Sequence, residues 1–120
     1  MLAFCVIDTC NPNAWPGALW FLGHTTADAV LLQETTRTTR SSCDQAEQAA
    51  RGIKLTASVS QAITSDKMGM SAGVAAVARS HIGLITPTAA DMGIPGPDSS
   101  RYILRTMGAV CHGGVHLGSV

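Results

Sequence analysis

The sequence has few charged residues, few aromatic residues and no excess of either charge. Charged residues make up 13% of the 120 residues and aromatic residues 4%. Lysine and arginine together number 8, as do aspartate and glutamate, so nothing in the charge balance points to a surface for a nucleic-acid backbone. An enzyme that reaches nucleic acid through a metal ion is still compatible with this balance. So little charge on a small domain suggests that apolar surface is covered by a partner or by another part of the chain.

Long apolar runs and paired cysteines are also missing. No stretch approaches the ~20 apolar residues that cross a bilayer, and the apolar opening stops at Asp8 without the basic start of a signal peptide. The four cysteines, Cys5, Cys10, Cys43 and Cys111, form no Cys-x-x-Cys pair. We therefore expect an intracellular protein, cytoplasmic or nuclear, with reduced cysteines and no membrane span.

Hydrophobic residues make up 46% of the chain, and their spacing predicts one α/β domain in the order β-α-β-α-β-β-loop-β. The strands are predicted at 4–7, 29–32, 55–59, 73–78 and 110–120, the helices at about 13–24 and 42–53, and loops at 65–70 and 86–101. Asn13 is the predicted N-cap of the first helix, with Pro16 in its first turn. Ser42 and Gln45 form a predicted capping box for the second.

Polar side chains follow the first two predicted strands. Asn11 and Asn13 come after the first strand, and Glu34 ends the second. A strand-helix-strand unit places the carboxyl ends of its strands at one edge of the sheet, where amide and carboxylate oxygens suit Mg²⁺. Spacing alone leaves simpler interpretations open: Glu34 as a solvated acid at a strand end, and Asn13 as a helix cap.

The order of three motifs resembles the endonuclease/exonuclease/phosphatase family, especially its abasic-site and retroelement-type endonucleases. The motifs are Asn11-x-Asn13, then Leu32-Gln33-Glu34-Thr35, then the small-residue segment 71–79 that contains Gly73-Val74. The resemblance extends over about residues 5–84. Pro12 departs from it, since that position is usually aliphatic.

The resemblance implies one half of a four-layer α-β-β-α sandwich, with one mixed sheet and helices on one face. We accordingly expect residues 1–120 to be a partial domain, truncated at its C-terminus. The other sheet face would lack its cover and expose valine, alanine and leucine side chains. Self-association, or binding of the missing C-terminal half, would follow.

The resemblance also implies Mg²⁺-dependent hydrolysis of phosphodiester bonds, with nucleic acid among the substrates. By its pattern Asn11 and Glu34 are metal ligands, Glu34 is also catalytic, and Asn13 is a third candidate near the metal. The family's later Gly-Asp-x-Asn and Ser-Asp-His motifs are absent from the sequence. Because those motifs orient and activate the attacking water, we expect weak or no activity from the chain alone.

Other polar residues carry weaker hypotheses. Arg37 and Arg40 follow Glu34 and are candidate phosphate contacts, or else residues of a solvated loop. His112 and His116 lie four apart, but no second ligand pair accompanies them, which favours ordinary partly buried histidines. An alternative function is a non-catalytic α/β module that binds a protein partner through the uncovered sheet face. Magnesium binding distinguishes this alternative from the nuclease-like hypothesis.

Overall fold

A computed structural model describes residues 5–12, 14–65, 69–71, 73–86, 103–107 and 114–119 of the chain. These residues form two helices and eight strands, which alternate as far as the third strand and are all strands after it. They are β1 (Ile7–Cys10), α1 (Trp15–His24), β2 (Ala29–Gln33), α2 (Arg40–Gly52), β3 (Leu55–Val59), β4 (Ile63–Ser65), β5 (Gly69–Ser71), β6 (Val74–Arg79), β7 (Ile103–Met107) and β8 (Val115–Ser119).

The main sheet has four strands in the order β1-β2-β6-β3. β1 runs parallel to β2, and β6 runs antiparallel to both of its neighbours, β2 and β3. Residues 74–78 of β6 are all buried, as is typical of a strand that is covered on both faces. The predicted α/β class, with one mixed sheet and its helices on one face, is confirmed.

Both helices pack on one face of this sheet. α1 buries Trp15, Ala18 and Leu22, the stripe that helical spacing predicted. α2 adds small residues, which allow close approach to the sheet. This core cluster also contains Cys43, Ala46, Ala50, Val30, Leu32, Leu55, Ala57, Val59, Ala75 and Val77. Neither helix is long and apolar enough to cross a membrane.

The predicted helix starts are wrong in detail. α2 begins at Arg40, where the Thr39 hydroxyl accepts the Ser42 N–H at 3.0 Å and the Ser42 hydroxyl accepts the Thr39 N–H at 3.2 Å. Thr39 and Ser42 therefore form the capping box that we predicted for Ser42 and Gln45, because a serine hydroxyl at the third helical position reaches the cap as glutamine would. Ala14 is the N-cap of α1 and makes no side-chain bond. Asn13 lies outside the described residues.

The first strand is also misplaced in the prediction. Among the described residues β1 covers Ile7–Cys10, which shares only Ile7 with the strand predicted at 4–7, and residue 4 lies outside the described residues. As part of an edge strand, Ile7 is exposed. The pairing with β2 explains the shift. The carbonyl of Val6 accepts the N–H groups of Asp28 and Ala29, and the parallel ladder continues from there to Cys10. Cross-strand pairing, rather than local hydrophobicity, therefore determines where β1 lies.

The face opposite the helices is covered by an antiparallel pair of strands, β7 and β8. Ile103, Met107 and Leu117 are buried there against β2 and β6 residues that include Ala29, Val74, Ala76 and Ala78. The prediction of an uncovered face with exposed valine and alanine is therefore wrong for the described part of the chain. The small side chains of β6 leave room for the β7–β8 pair to pack on this face. The pair therefore covers the valine and alanine side chains that we expected to be exposed.

Several short strands escaped the prediction. β4 and β5 pair with each other at the ends of the predicted loop 65–70, and three residues are too few to show a period. β7 was assigned no structure, since Arg105 and Thr106 interrupt its apolar pattern although both are buried in the fold. β8 covers Val115–Ser119 of the predicted strand 110–120, while residues 108–113 lie outside the described residues.

Truncation of a residue from the covering pair tests the second layer. Met107 has no exposed surface, so Met107→Ala should lower the free energy of unfolding by about 2–5 kcal/mol. Leu104→Ala on the same strand is the control. Because Leu104 is only partly buried, its truncation should lower the free energy of unfolding by clearly less. Urea unfolding measures both. Equal small losses would mean that β7 does not pack on the sheet.

The buried thiol of α2 predicts a pH dependence of stability. Burial of Cys43 raises the pKa of its thiol, with a smaller contribution in the same direction from Glu47. In the unfolded chain the thiol ionises near pH ~8.5, before the folded thiol does. The contribution of Cys43 to the free energy of unfolding is therefore full below about pH 8.5 and is lost as pH rises towards the folded-state pKa.

Urea unfolding between pH 7 and 10 measures this alkaline loss. Cys43→Ser is the matched variant, because serine is close to cysteine in size and its hydroxyl does not ionise in this range. Its stability should fall less steeply with pH than that of the native chain. Burial also raises the pKa of Cys5 and Cys10, so a shallow slope should remain. Identical slopes in both proteins would contradict the prediction.

Candidate metal site

One edge of the main sheet collects the carboxyl ends of β1, β2 and β3 and the start of β6. β1 and β2 are directly parallel, and β3 shares their direction because both β2 and β3 pair antiparallel with β6. Two hydrogen bonds join the ends of these strands to β6. The N–H of Thr35 donates to the Gly73 carbonyl at 3.0 Å, and the N–H of Ser60 donates to the Val74 carbonyl at 2.9 Å.

Asn11 and Glu34 lie at this edge on adjacent strands. Cys10 is opposite Leu32 in the parallel ladder. Asn11 comes one residue after Cys10, and Glu34 comes two residues after Leu32. Adjacent strands lie about 4.8 Å apart. Both residues are exposed. The strand pairing thus places the two positions that the sequence motifs selected as metal ligands at the same edge, each just past the end of its strand.

The chain turns sharply after β2. Glu34 and Thr36 have φ angles of 54° and 58°, in the left-handed region that non-glycine residues rarely adopt and that costs on the order of 1–3 kcal/mol each. Thr35 between them is completely buried. The Thr36 hydroxyl donates to the Thr35 carbonyl at 2.8 Å. Side chains alternate between the two sheet faces along β2, and continued alternation would direct residue 34 to the face that the helices cover. The turn ends this alternation.

The rest of the loop is tied to the segment after β3. The N–H of Ala62 donates to the Arg37 carbonyl at 2.7 Å, and the Gln61 side-chain amide donates to the Thr38 carbonyl at 3.1 Å. Backbone groups of the loop therefore have protein partners even though it has no regular structure. The 35–39 loop is fixed to the sheet edge, which corrects its interpretation as a solvated polar tract.

Gly73 fits closely against the turn. Its φ angle is +84°, and a Cβ placed on it would lie 2.8 Å from Oγ1 of Thr35, 3.0 Å from Cβ of Ala62 and 3.1 Å from the backbone N of Thr36. A glycine therefore occupies this position because a side chain has neither the backbone conformation nor the space it needs. Gly73 belongs to the third sequence motif, which by itself indicated no role for the glycine.

Two buried side-chain atoms in this loop, Oγ1 of Thr35 and Nε of Arg37, have no hydrogen-bond partner within the described part of the chain. A buried polar atom without a partner costs about 1–3 kcal/mol, and such atoms are uncommon in native proteins. Both atoms lie within three residues of Glu34. The sequence contained no signal for the burial of Thr35, since a polar residue after a strand normally faces solvent.

The two candidate phosphate contacts have different surroundings. Arg40 donates to Asp44 at 3.0 Å, to Glu47 at 3.2 Å and to the Val59 carbonyl at 3.3 Å, and so ties α2 to the end of β3. Partial burial lowers the pKa of Arg40, but its hydrogen bond to Asp44 and the charge of Glu47 outweigh this and raise it. Arg37 is half-buried and makes none of these contacts. Of the two, Arg37 is the better candidate for a phosphate.

The histidines give no metal cluster. His24 stacks on Trp20 with ring centroids 4.3 Å apart, His116 Nδ1 lies 2.7 Å from the Thr106 hydroxyl, and His81 is exposed in a turn. His112 lies outside the described residues. Within the described ranges no group of three or more histidine, cysteine, aspartate or glutamate side chains is placed to hold a metal. A cation at this edge would therefore rely on Glu34, amide oxygens, water and substrate.

Comparison of the chain with family models, with characterised proteins and with solved structures gives no match. The resemblance to the endonuclease/exonuclease/phosphatase family therefore depends on the three sequence motifs.

The close approach of Gly73 to the turn gives a testable prediction. Gly73→Ala should lower the free energy of unfolding by more than about 1 kcal/mol, because the methyl group meets Thr35 and the backbone must keep a positive φ. Gly52→Ala is the matched control. Gly52 ends α2 with open space around it, so alanine there should be neutral or stabilise by about 0.4–1 kcal/mol. Thermal melts of both variants check the difference, and a neutral Gly73→Ala would disprove the close contact.

Proposed function

We propose that this chain is a magnesium-binding part of an endonuclease/exonuclease/phosphatase-type domain, nuclease-like in chemistry and weak or inactive alone. The observation that supports it is the parallel pairing of β1 and β2, which brings Asn11 and Glu34 to one sheet edge in the order of the family's first two motifs. The packing of both helices on one face of a mixed sheet gives further support, because the resemblance implies this arrangement.

The donor set at the edge fits a magnesium ion. Magnesium is commonly bound by one or two carboxylates, with water and substrate phosphates in the other positions. Glu34 provides the carboxylate and Asn11 an amide oxygen, and both side chains are exposed at the edge. Asn13 remains a candidate by its motif alone. Since so few protein ligands are present, the affinity for the free ion should be low.

Each residue has a limited chemical role in this proposal. Glu34 and Asn11 bind the ion at the carboxyl ends of β1 and β2. The bound ion supplies the charge that polarises a phosphoryl oxygen and stabilises the leaving oxygen. Arg37, three residues after Glu34, is the candidate to contact a non-bridging phosphate oxygen, since a guanidinium matches phosphate geometry. The proposed substrate class is nucleic acid, with binding driven by the metal rather than by net charge.

Weak catalysis follows from what the described residues lack. General-base and electrostatic groups each contribute orders of magnitude in rate. No histidine in the described ranges lies in a cluster with carboxylates. The proposed partner is therefore a polypeptide that supplies the family's later motifs. The free cysteines, Cys5, Cys10 and Cys43, suit the proposed cytoplasmic or nuclear location.

Magnesium binding tests the proposal directly. The chain should bind Mn²⁺ as a spectroscopic probe, and Mg²⁺ should compete for the same site. Glu34→Gln removes the carboxylate that the proposal assigns to the ion and should raise the Kd by more than about tenfold, which corresponds to about 1.4 kcal/mol. Electron paramagnetic resonance of free Mn²⁺ measures the affinity.

Asp44→Asn is the matched control for this experiment. Asp44 is also an exposed acid, with 63% of its side chain accessible, but it belongs to the α2 surface pair with Arg40. Its replacement should leave metal affinity unchanged. Absence of Mg²⁺-competed binding in the native chain would overturn the proposal. Strong Mg²⁺-dependent nicking of plasmid DNA that Glu34→Gln abolishes would show instead that the chain is a complete catalyst.

A further inference from the structure

The direction of the Glu34 side chain depends on the turn rather than on the strand. Along β2, Val30 and Leu32 face the helices and Leu31 faces the β7–β8 pair. Continued alternation would direct residue 34 to the helix side, while Asn11, next to the helix-side Cys10, would point the opposite way. The left-handed conformation of Glu34 ends this alternation, and its side chain is exposed.

Thr35 is the buried residue of this turn. It has no accessible surface, and its N–H is bound to the carbonyl of Gly73. Its side chain lies directly over Gly73, where even one added carbon would approach Oγ1 to 2.8 Å. The residues on either side of it, Glu34 and Thr36, both have positive φ angles. The buried Thr35 side chain thus anchors the turn between the two left-handed residues, Glu34 and Thr36.

We propose that Thr35 is a positioning residue: its buried side chain, packed against Gly73, holds the left-handed turn that presents the Glu34 carboxylate beside Asn11. This inference rests on the proposed role of Glu34 as a metal ligand. Among the described residues the Thr35 hydroxyl has no hydrogen-bond partner, so the shape of the side chain rather than a hydrogen bond from Oγ1 anchors the turn. Valine has the same shape and should replace it; alanine should not.

The first part of the test needs no metal. Amide hydrogen exchange of residue 35, measured by NMR, reports whether its N–H remains bound to Gly73. Exchange should be slow in the native chain and in Thr35→Val, and at least about tenfold faster in Thr35→Ala. The N–H of Ser60, which donates to Val74 on the other side of β6, is the internal control and should keep its protection in every variant.

The second part measures Mn²⁺ affinity with Mg²⁺ competition in the same variants. Thr35→Ala should weaken binding by about 10–100-fold, the range that is typical when a residue supporting a metal ligand is removed. Thr35→Val should bind like the native chain. Val77→Ala is the stability control: Val77 is buried in the helix-side core within β6, opposite Val30, and should lower the melting temperature without changing metal affinity.

The outcomes separate this inference from the proposed function. If the native chain binds metal and Thr35→Ala binds equally well, the positioning role is wrong while the metal site remains. If Thr35→Val loses affinity together with Thr35→Ala, the hydroxyl acts chemically and packing is not the cause. If the native chain binds no metal, the proposed function fails. Unchanged exchange at residue 35 in Thr35→Ala would then also show that the side chain does not anchor the turn.

Discussion

The small side chains of β6 are the constraint on which the rest of the structure depends. This strand, Val74–Arg79, lies between β2 and β3 and contributes Ala75 and Val77 to the helix side and Val74, Ala76 and Ala78 to the other side. Because none of these five is larger than valine, the two layers can approach the sheet from opposite directions. The same strand begins at the candidate metal edge, so core packing and site geometry are coupled through one element.

That coupling is most direct where β6 begins. Gly73 accepts a hydrogen bond from Thr35 and leaves the space into which the Thr35 side chain packs. The turn around Thr35 contains two left-handed residues and a buried hydroxyl without a partner, all of which are unfavourable by themselves. Packing of the surrounding core stabilises the turn against these costs. Unfavourable backbone geometry is frequent at functional sites. The positive φ of Glu34 therefore adds a physical argument for its candidate role to the argument from the sequence motif.

Much of the layer that contains the helices was predictable from the sequence. The stripe of Trp15, Ala18 and Leu22, the apolar β2 and the alternation of β3 are periodic patterns, and local periodicity reflects the face that each element buries. The start of β1, the cap of α2 and the short strands depend on cross-strand partners or on a single side-chain rotamer. No periodic pattern in the sequence indicates where these features lie. The covered second face was missed because β7 contains the buried polar residues Arg105 and Thr106.

The sequence by itself determined the α/β class, the order of its main elements and the candidates Asn11 and Glu34 at two strand ends. Those properties follow from residue type and spacing, which are local. The strand-helix-strand order also predicted that β1 and β2 have their carboxyl ends at one sheet edge. Only the tertiary structure decided the register, in which Cys10 pairs with Leu32 and the two candidates follow closely. It also decided that Thr35 is buried against Gly73, and that a pair of strands covers the second face. Each of these contacts joins residues that are far apart in the chain, so its free energy depends on packing that no local pattern encodes.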